Sequence, residues 1–428
     1  MKIGFCTLGC KVNQYETEAI KEIFINNGWE IAEFSDICDA YVINTCTVTH
    51  LSDRKSRQMI RRAYTKNKNA VIAVLGCFAQ MSPKEVEKIE GVSIVIGTKN
   101  KLKAYELISK KAKENIVTPV DKEDYEDMEI TLFESKTRAI IKAQDGCNNF
   151  CSYCIIPYAR GRIRSRNPEN IYNECLRLSE NGFLEIVLAG IHICSYGKDL
   201  EDYDLLKLLK KIHKIEGIKR IRLSSIEPNA FTDEFIYALK DLPKVCHHFH
   251  ISLQSGCDET LKRMNRKYDS LFYKNICNKI LKEFPDSAIT TDLIVGFPGE
   301  SEEEFSKTKE FINSIPFYQI HTFKYSKREG TKAALMENQV SPEVKDIRSK
   351  DIIKISQEKQ KAFEEKHLGN EVEILIESIQ KDGFFMGHTK NYLPVYVKSC
   401  DNIKDKIIKV KITNYENNIL VGKAYGTK

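Results

Sequence analysis

Apolar runs of strand length alternate with helix-length segments along most of this chain, which restricts it to folds built on parallel sheets. Residues 2–7, 40–45, 70–76 and 93–96 have the continuous apolar texture of strands buried on both faces. Residues 13–27, 52–66 and 83–90 read as the intervening helices, with polar or proline starts. The fold class predicted is therefore α/β, with a doubly wound domain over residues 1–115. Residues 116–135 are charged, carry an acidic stretch from Asp121 to Glu129, and read as a linker.

The alternation resumes over residues 136–365, with strand candidates at 139–143, 185–189, 220–223, 248–252, 288–295 and 318–325. Six such β–α units predict an open, partial barrel rather than a closed one of eight. A long polar helix is expected from Pro342 to His367. The texture then changes: over residues 366–428, short strands at 371–376, 384–388, 393–397, 406–412 and 420–424 are separated by Gly, Asn and Asp turns. That pattern predicts a small five-stranded antiparallel barrel.

With 428 residues, 42% hydrophobic and 29% charged, the chain can fill several cores, and wholesale disorder is excluded. The balance of 66 basic and 60 acidic residues, +6, is too mild to establish a nucleic-acid partner by itself. No apolar run reaches the length of a membrane span and the N-terminus lacks the texture of a signal peptide, so a cytoplasmic protein with no membrane partner is expected. Fourteen cysteines, clustered rather than dispersed, point to metal or iron–sulfur ligation.

Cys147, Cys151 and Cys154 have the spacing C-x3-C-x2-C directly after the first strand of the middle region. Three thiolates on one tight loop can hold three irons of a 4Fe-4S cluster and leave the fourth open. A structural zinc site would close with a fourth Cys or His, and none follows at short spacing. Cys10, Cys46 and Cys77 each follow a predicted strand of the first domain. Parallel strands end on one edge of a sheet, so these three loops can converge into a second cluster site, with Gly9, Gly76, Asn13 and Asn44 close by.

The run from Cys147 through Asn148, Asn149, Phe150, Cys151, Ser152, Tyr153 and Cys154, continuing through Ile155, Ile156, Pro157 and Arg160 to Arg166, resembles the radical S-adenosylmethionine (SAM) methylthiotransferases. The resemblance extends over essentially the whole chain. It implies two 4Fe-4S clusters, and SAM as both methyl donor and radical source. Residues 7–16, 44–49 and 75–80 look like the family's N-terminal domain, whose auxiliary cluster carries the sulfur to be inserted. In the barrel mouth, polar and glycine residues recur after successive strands: Gly190 and His192, Ser225 and Glu227, Gln254 to Gly256, Arg266, and Asp292 to Gly299. By resemblance, the Gly190 loop meets the amino-acid end of SAM and Tyr153 its adenine. Gln254, Ser255 and Arg266 are then candidates for ribose or carboxylate contacts.

Two basic runs adjoin the cysteine loops. Arg160, Arg162, Arg164 and Arg166 alternate after one, and Arg54, Lys55, Arg57, Arg61, Arg62, Lys66 and Lys68 follow Cys46. With Lys404, Lys406, Lys409 and Lys411 in the tail, they suggest a phosphate-binding rim. The tail barrel resembles the TRAM module, a small RNA-binding fold. Phe384, Phe385 and Tyr392 are its candidates for base stacking or for core packing.

The partners implied are a tRNA anticodon arm, a low-potential electron donor such as flavodoxin or ferredoxin, and a sulfur donor. Thr7–Gln14 and Leu223–Pro228 look like the branch acting on N6-threonylcarbamoyladenosine. The alternatives are N6-isopentenyladenosine in tRNA, an aspartate of a ribosomal protein, and a noncatalytic iron–sulfur RNA-binding protein.

Overall fold

The computed structural model describes residues 1–120, 124–131 and 137–425. Lys2–Thr7, Ala40–Thr45, Val71–Gly76 and Val92–Ile96 form the centre of a wholly parallel sheet. Two short strands, Glu30–Ala32 and Glu114–Asn115, flank them. Chain order across the sheet is second, first, third, fourth, fifth, sixth, so the winding reverses between Lys2–Thr7 and Ala40–Thr45. Ala40–Thr45 is buried at every position because it is paired on both edges and covered on both faces. Helix Lys11–Asn26 packs Tyr15, Ala19, Ile20 and Phe24 inward, and Thr49 caps the helix His50–Lys66 by accepting from the Ser52 amide.

The second domain carries six parallel strands, Arg138–Asp145, Glu185–Gly190, Arg220–Leu223, His248–His250, Ala288–Val295 and Gln319–Lys324. They fall into two sheets joined by single parallel bridges, Ile221 to Val245 and Ile226 to Ile251. The open, partial barrel expected from six β–α units is the observed architecture. Polar caps start its helices: Asn167 ahead of Pro168, Asp204, Thr232, Asp269, and a Ser301–Glu304 capping box. One apolar core runs through the barrel wall, and each fully buried Ile or Leu in it contributes about 1.5–3 kcal/mol.

The described part of the expected linker is pinned from both sides. Gln80 donates to the Thr118 carbonyl (2.9 Å), the Tyr125 hydroxyl to the Lys142 carbonyl (2.7 Å), and the Ile130 amide to Glu174 (2.7 Å). Met128 and Ile130 are buried in the barrel core. The remainder of that segment, 121–123 and 132–135, and the chain end 426–428 lie outside the described residues.

Glu371–Ile379, Phe384–Thr389, Pro394–Lys398, Ile407–Glu416 and Ile419–Ala424 close into the expected five-stranded barrel, with one correction. The seam between Pro394–Lys398 and Ile419–Ala424 is parallel. A closed ring of five strands cannot alternate direction all the way round, so at least one seam must be parallel. Phe385 belongs to this barrel's core. Tyr392 stacks between His248 and His388 (4.9 and 4.5 Å between ring centroids) where the barrel meets the second domain. At the same junction Arg220 donates to the carbonyls of His388 (2.8 Å) and Glu373 (2.9 Å).

Candidate active site

Cys10, Cys46 and Cys77 stand at the ends of three adjacent strands, where the winding of the first sheet reverses. Crevices at such reversals are where open α/β sheets bind ligands. Their loops are laced together: Asn13 Nδ2 donates to the carbonyls of Leu8 (2.8 Å) and Thr45 (3.0 Å), and the Thr45 hydroxyl donates to that of Leu75 (2.5 Å). Asn44 Nδ2 donates in turn to the Asn13 carbonyl at 3.0 Å. Gly9 has φ +103°, and a Cβ there would stand 2.8 Å from Cys46 Cβ, so the approach of the first two loops requires glycine.

Cys147, Cys151 and Cys154 lie on the loop after Arg138–Asp145. Gly146, at φ +72°, lets that loop turn against Arg162, whose carbonyl oxygen would lie 1.8 Å from a Cβ. Arg266 donates to Cys151 Sγ at 3.3 Å and pairs with Glu227 Oε1 at 2.9 Å. Glu227 also accepts from Asn149 (2.9 Å) and pairs with His192 Nε2 (3.1 Å). Burial opposes ionisation of Glu227, but the His192 hydrogen bond and the Arg266 charge hold its carboxyl at about 2.

Both cysteine sets are suited to soft metal ligation. Burial pushes the Cys147 thiol up to about 11 and Cys154 to about 12, the latter helped by the neighbouring Cys151, and burial raises Cys77 to about 11. Such thiols stay protonated at neutral pH on their own, and a metal that binds them displaces the proton into solvent. Among the described residues no three His, Cys, Asp or Glu side chains meet the spacing for one shared metal ion. Thiolates that each carry a different iron of a cluster stand wider apart than ligands of one zinc.

A cleft of about 1360 Å³ opens between the two domains. Cys10, Cys46 and Cys77 line one wall, and Gly190, Ser225 and Asp292, at or near strand ends of the barrel, line the opposite one. Of the other expected SAM contacts, Tyr153 is half-buried, edge-on to Phe297, and Gln254 is half-buried with φ +70°. Ser255 is fully buried, and its hydroxyl is engaged by Thr308 (3.4 Å) and the Cys257 amide (3.2 Å). Cys194, in the Gly190 loop, accepts the Glu227 amide at 3.2 Å.

The arginine run also differs from expectation. Arg160 and Arg166 are completely buried and Arg164 nearly so; of the four only Arg162 is exposed. Arg166 pairs with Glu174 and Arg160 with Glu16, so these side chains are interior ion pairs and not a phosphate rim. On the helix after Cys46, by contrast, Arg54, Lys55, Arg61, Arg62 and Lys66 face solvent, as do Lys404, Lys406, Lys409 and Lys411 on the tail barrel.

Residues 141–312 match the Radical SAM superfamily, 2–97 the uncharacterized protein family UPF0004, and 365–425 the TRAM domain. The chain is 46% identical over 420 residues to the threonylcarbamoyladenosine tRNA methylthiotransferase MtaB of Bacillus subtilis (strain 168), covering 96% of this chain and 93% of that one. It belongs to the MtaB-type family of radical SAM methylthiotransferases. This methylthiotransferase is also 38% identical to the MtaB of Aquifex aeolicus (strain VF5), over 96% of this chain and 100% of the other. It is 38% identical to the tRNA-2-methylthio-N(6)-dimethylallyladenosine synthase of Clostridium tetani (strain Massachusetts / E88), over 95% and 92%. Its fold is shared with the radical SAM methyltransferase TsrM of Kitasatospora setae, at a TM-score of 0.58 and 14% identity, over 78% of this chain and 77% of that one. No helix among the described residues is long and apolar enough to cross a membrane.

Proposed function

We propose that this enzyme inserts a methylthio group at C2 of N6-threonylcarbamoyladenosine beside the tRNA anticodon. The observation that supports the reading is the shared cleft: Cys10, Cys46 and Cys77 line it together with Gly190, Ser225 and Asp292, at or near strand ends of the barrel. When bound, SAM and two 4Fe-4S clusters supply the carbon radical, the methyl group and the sulfur that acid–base side chains cannot provide for an inert aromatic C–H bond. Cys147, Cys151 and Cys154 would hold one cluster, and Cys10, Cys46 and Cys77 the other.

Glu227 and Arg266, fixed by Asn149 and His192, orient polar groups beside the first cysteine loop. Gly190 gives backbone access at a strand end and Asp292 offers a carboxylate to the cleft; the half-buried Tyr153 and Gln254 would complete the set of SAM contacts. The exposed basic face of the helix His50–Lys66 and the lysines of the tail barrel supply phosphate contacts for an anticodon arm. A low-potential electron donor and a sulfur donor complete the reaction.

The names of the two MtaB relatives favour the threonylcarbamoyl branch over the isopentenyl one. Polar partners selected for a threonylcarbamoyl group are left unpaired by an isopentenyl group, which makes discrimination strong. In an anaerobic reconstituted assay, threonylcarbamoylated tRNA should gain the methylthio group and isopentenylated tRNA should not, read by mass analysis of nucleosides. The opposite preference would overturn the substrate assignment while leaving the radical chemistry standing.

A further inference from the structure

A buried charge cluster lies between the two cysteine sets. Glu16, Lys101 and Arg160 are fully buried, and Lys142 and Asp145 nearly so. Arg160 grips Glu16 with a two-pronged pair, Nη1 to Oε1 at 3.0 Å and Nη2 to Oε2 at 3.2 Å. Lys101 also pairs with Glu16, and Lys142 lies 2.9 Å from Glu16 and 2.7 Å from Asp145. Glu16 and Lys101 come from the first domain; the others come from the barrel. Apolar side chains of the same volume would join two domains at lower desolvation cost, so adhesion does not account for this cluster. Its geometry does.

Arg160 Nη2 donates to Asn13 Oδ1 at 2.6 Å, and Asn13 is the residue that ties the loops ahead of Cys10 and Cys46. Nη1 donates to Asp145 Oδ1 at 3.1 Å, and the same oxygen accepts the Gly146 amide at 2.8 Å, where the loop to Cys147 begins. A single rigid guanidinium thus touches the organiser of one cysteine set and the entry to the other. We propose that Arg160 is a positioning residue that fixes the two cysteine loops at a set separation across the domain boundary. The proposal rests on the two-cluster reading for its catalytic consequence, because transfer between walls of a cleft depends steeply on their spacing.

Arg160→Lys keeps the charge but has one ammonium, which cannot reproduce the planar fork. In the metal-free full-length variant, amide hydrogen exchange over residues 8–14 and 146–151 should rise roughly tenfold or more, since charge-assisted hydrogen bonds are lost. The strands Ala40–Thr45 and Arg138–Asp145 should keep wild-type protection. Asp145→Asn retains an oxygen for the Gly146 amide but weakens the hold on Arg160. It should loosen residues 8–14 across the boundary, and it keeps the test alive if the lysine variant folds poorly.

After reconstitution, Arg160→Lys should retain iron content and SAM cleavage within about twofold while methylthio transfer falls roughly tenfold or more. The proposal is overturned by wild-type exchange in both loops, by an equal rise in the strands, or by transfer falling only in step with cleavage. Iron sufficient for a single cluster in the wild type would defeat the two-cluster reading instead, and loop exchange would still decide the role of Arg160.

Discussion

The two cysteine sets face the same problem and solve it differently. Cys147, Cys151 and Cys154 are neighbours on one loop, so a single strand end and Gly146 suffice to present them. Cys10, Cys46 and Cys77 are gathered from three strand ends and need Asn13, Asn44 and Thr45 to hold the loops together. Each set has an arginine at hand: Arg266 donates to a thiol of the first, and Arg160 holds the scaffold of the second. The local set needs only its own loop, whereas the dispersed set depends on a scaffold that gathers three loops.

The largest expected effect comes from removing the local set. Replacing Cys147, Cys151 and Cys154 together by Ala should abolish SAM cleavage and, after anaerobic reconstitution, leave about half the iron. Retained cleavage would break the comparison at its root. Replacing Cys10, Cys46 and Cys77 should also remove about half the iron, yet it should abolish methylthio transfer alone and leave reductive SAM cleavage within about twofold. Product at the wild-type rate in this second variant would mean that the dispersed set is not the auxiliary site.

The local and dispersed sets were also unequally legible. C-x3-C-x2-C can be read from eight residues, whereas the dispersed set became readable only because buried parallel strands are continuous apolar runs whose ends can be located. The six strands of the barrel were recovered for the same reason, and the five of the tail from the Gly, Asn and Asp turns that separate them. Glu30–Ala32 and Glu114–Asn115 were not, being too short and polar to carry a period.

The arginines failed for a different reason. Arg160 finds Glu16 at a separation of 144 residues, and no local pattern distinguishes a cation awaiting that partner from one awaiting phosphate. One signal was present: Lys142 interrupts the apolar strand Arg138–Asp145 at a buried position, which marks a buried counter-charge.

The smallest effect concerns the charge that steadies the local set. In the metal-free protein, burial of Glu227 favours its neutral form, yet His192 and Arg266 hold the carboxyl at about 2, below its ordinary value of 4.5. A group depressed in the folded state contributes stability above its unfolded value and loses it as pH falls through the folded value. Glu227→Gln keeps a hydrogen-bond acceptor for Asn149 but leaves Arg266 without its counter-charge. Urea unfolding near neutral pH should therefore show a loss on the order of 1–3 kcal/mol, an ordinary magnitude for hydrogen bonds to charged groups. The gap between wild type and variant should hold steady from about pH 8 to about pH 5.5 and narrow as pH drops from about 4.5 towards 2. A gap that stays constant into that acid range would show that packing, not charge, makes Glu227 matter, and the contrast between Arg266 and Arg160 would then lose its electrostatic half.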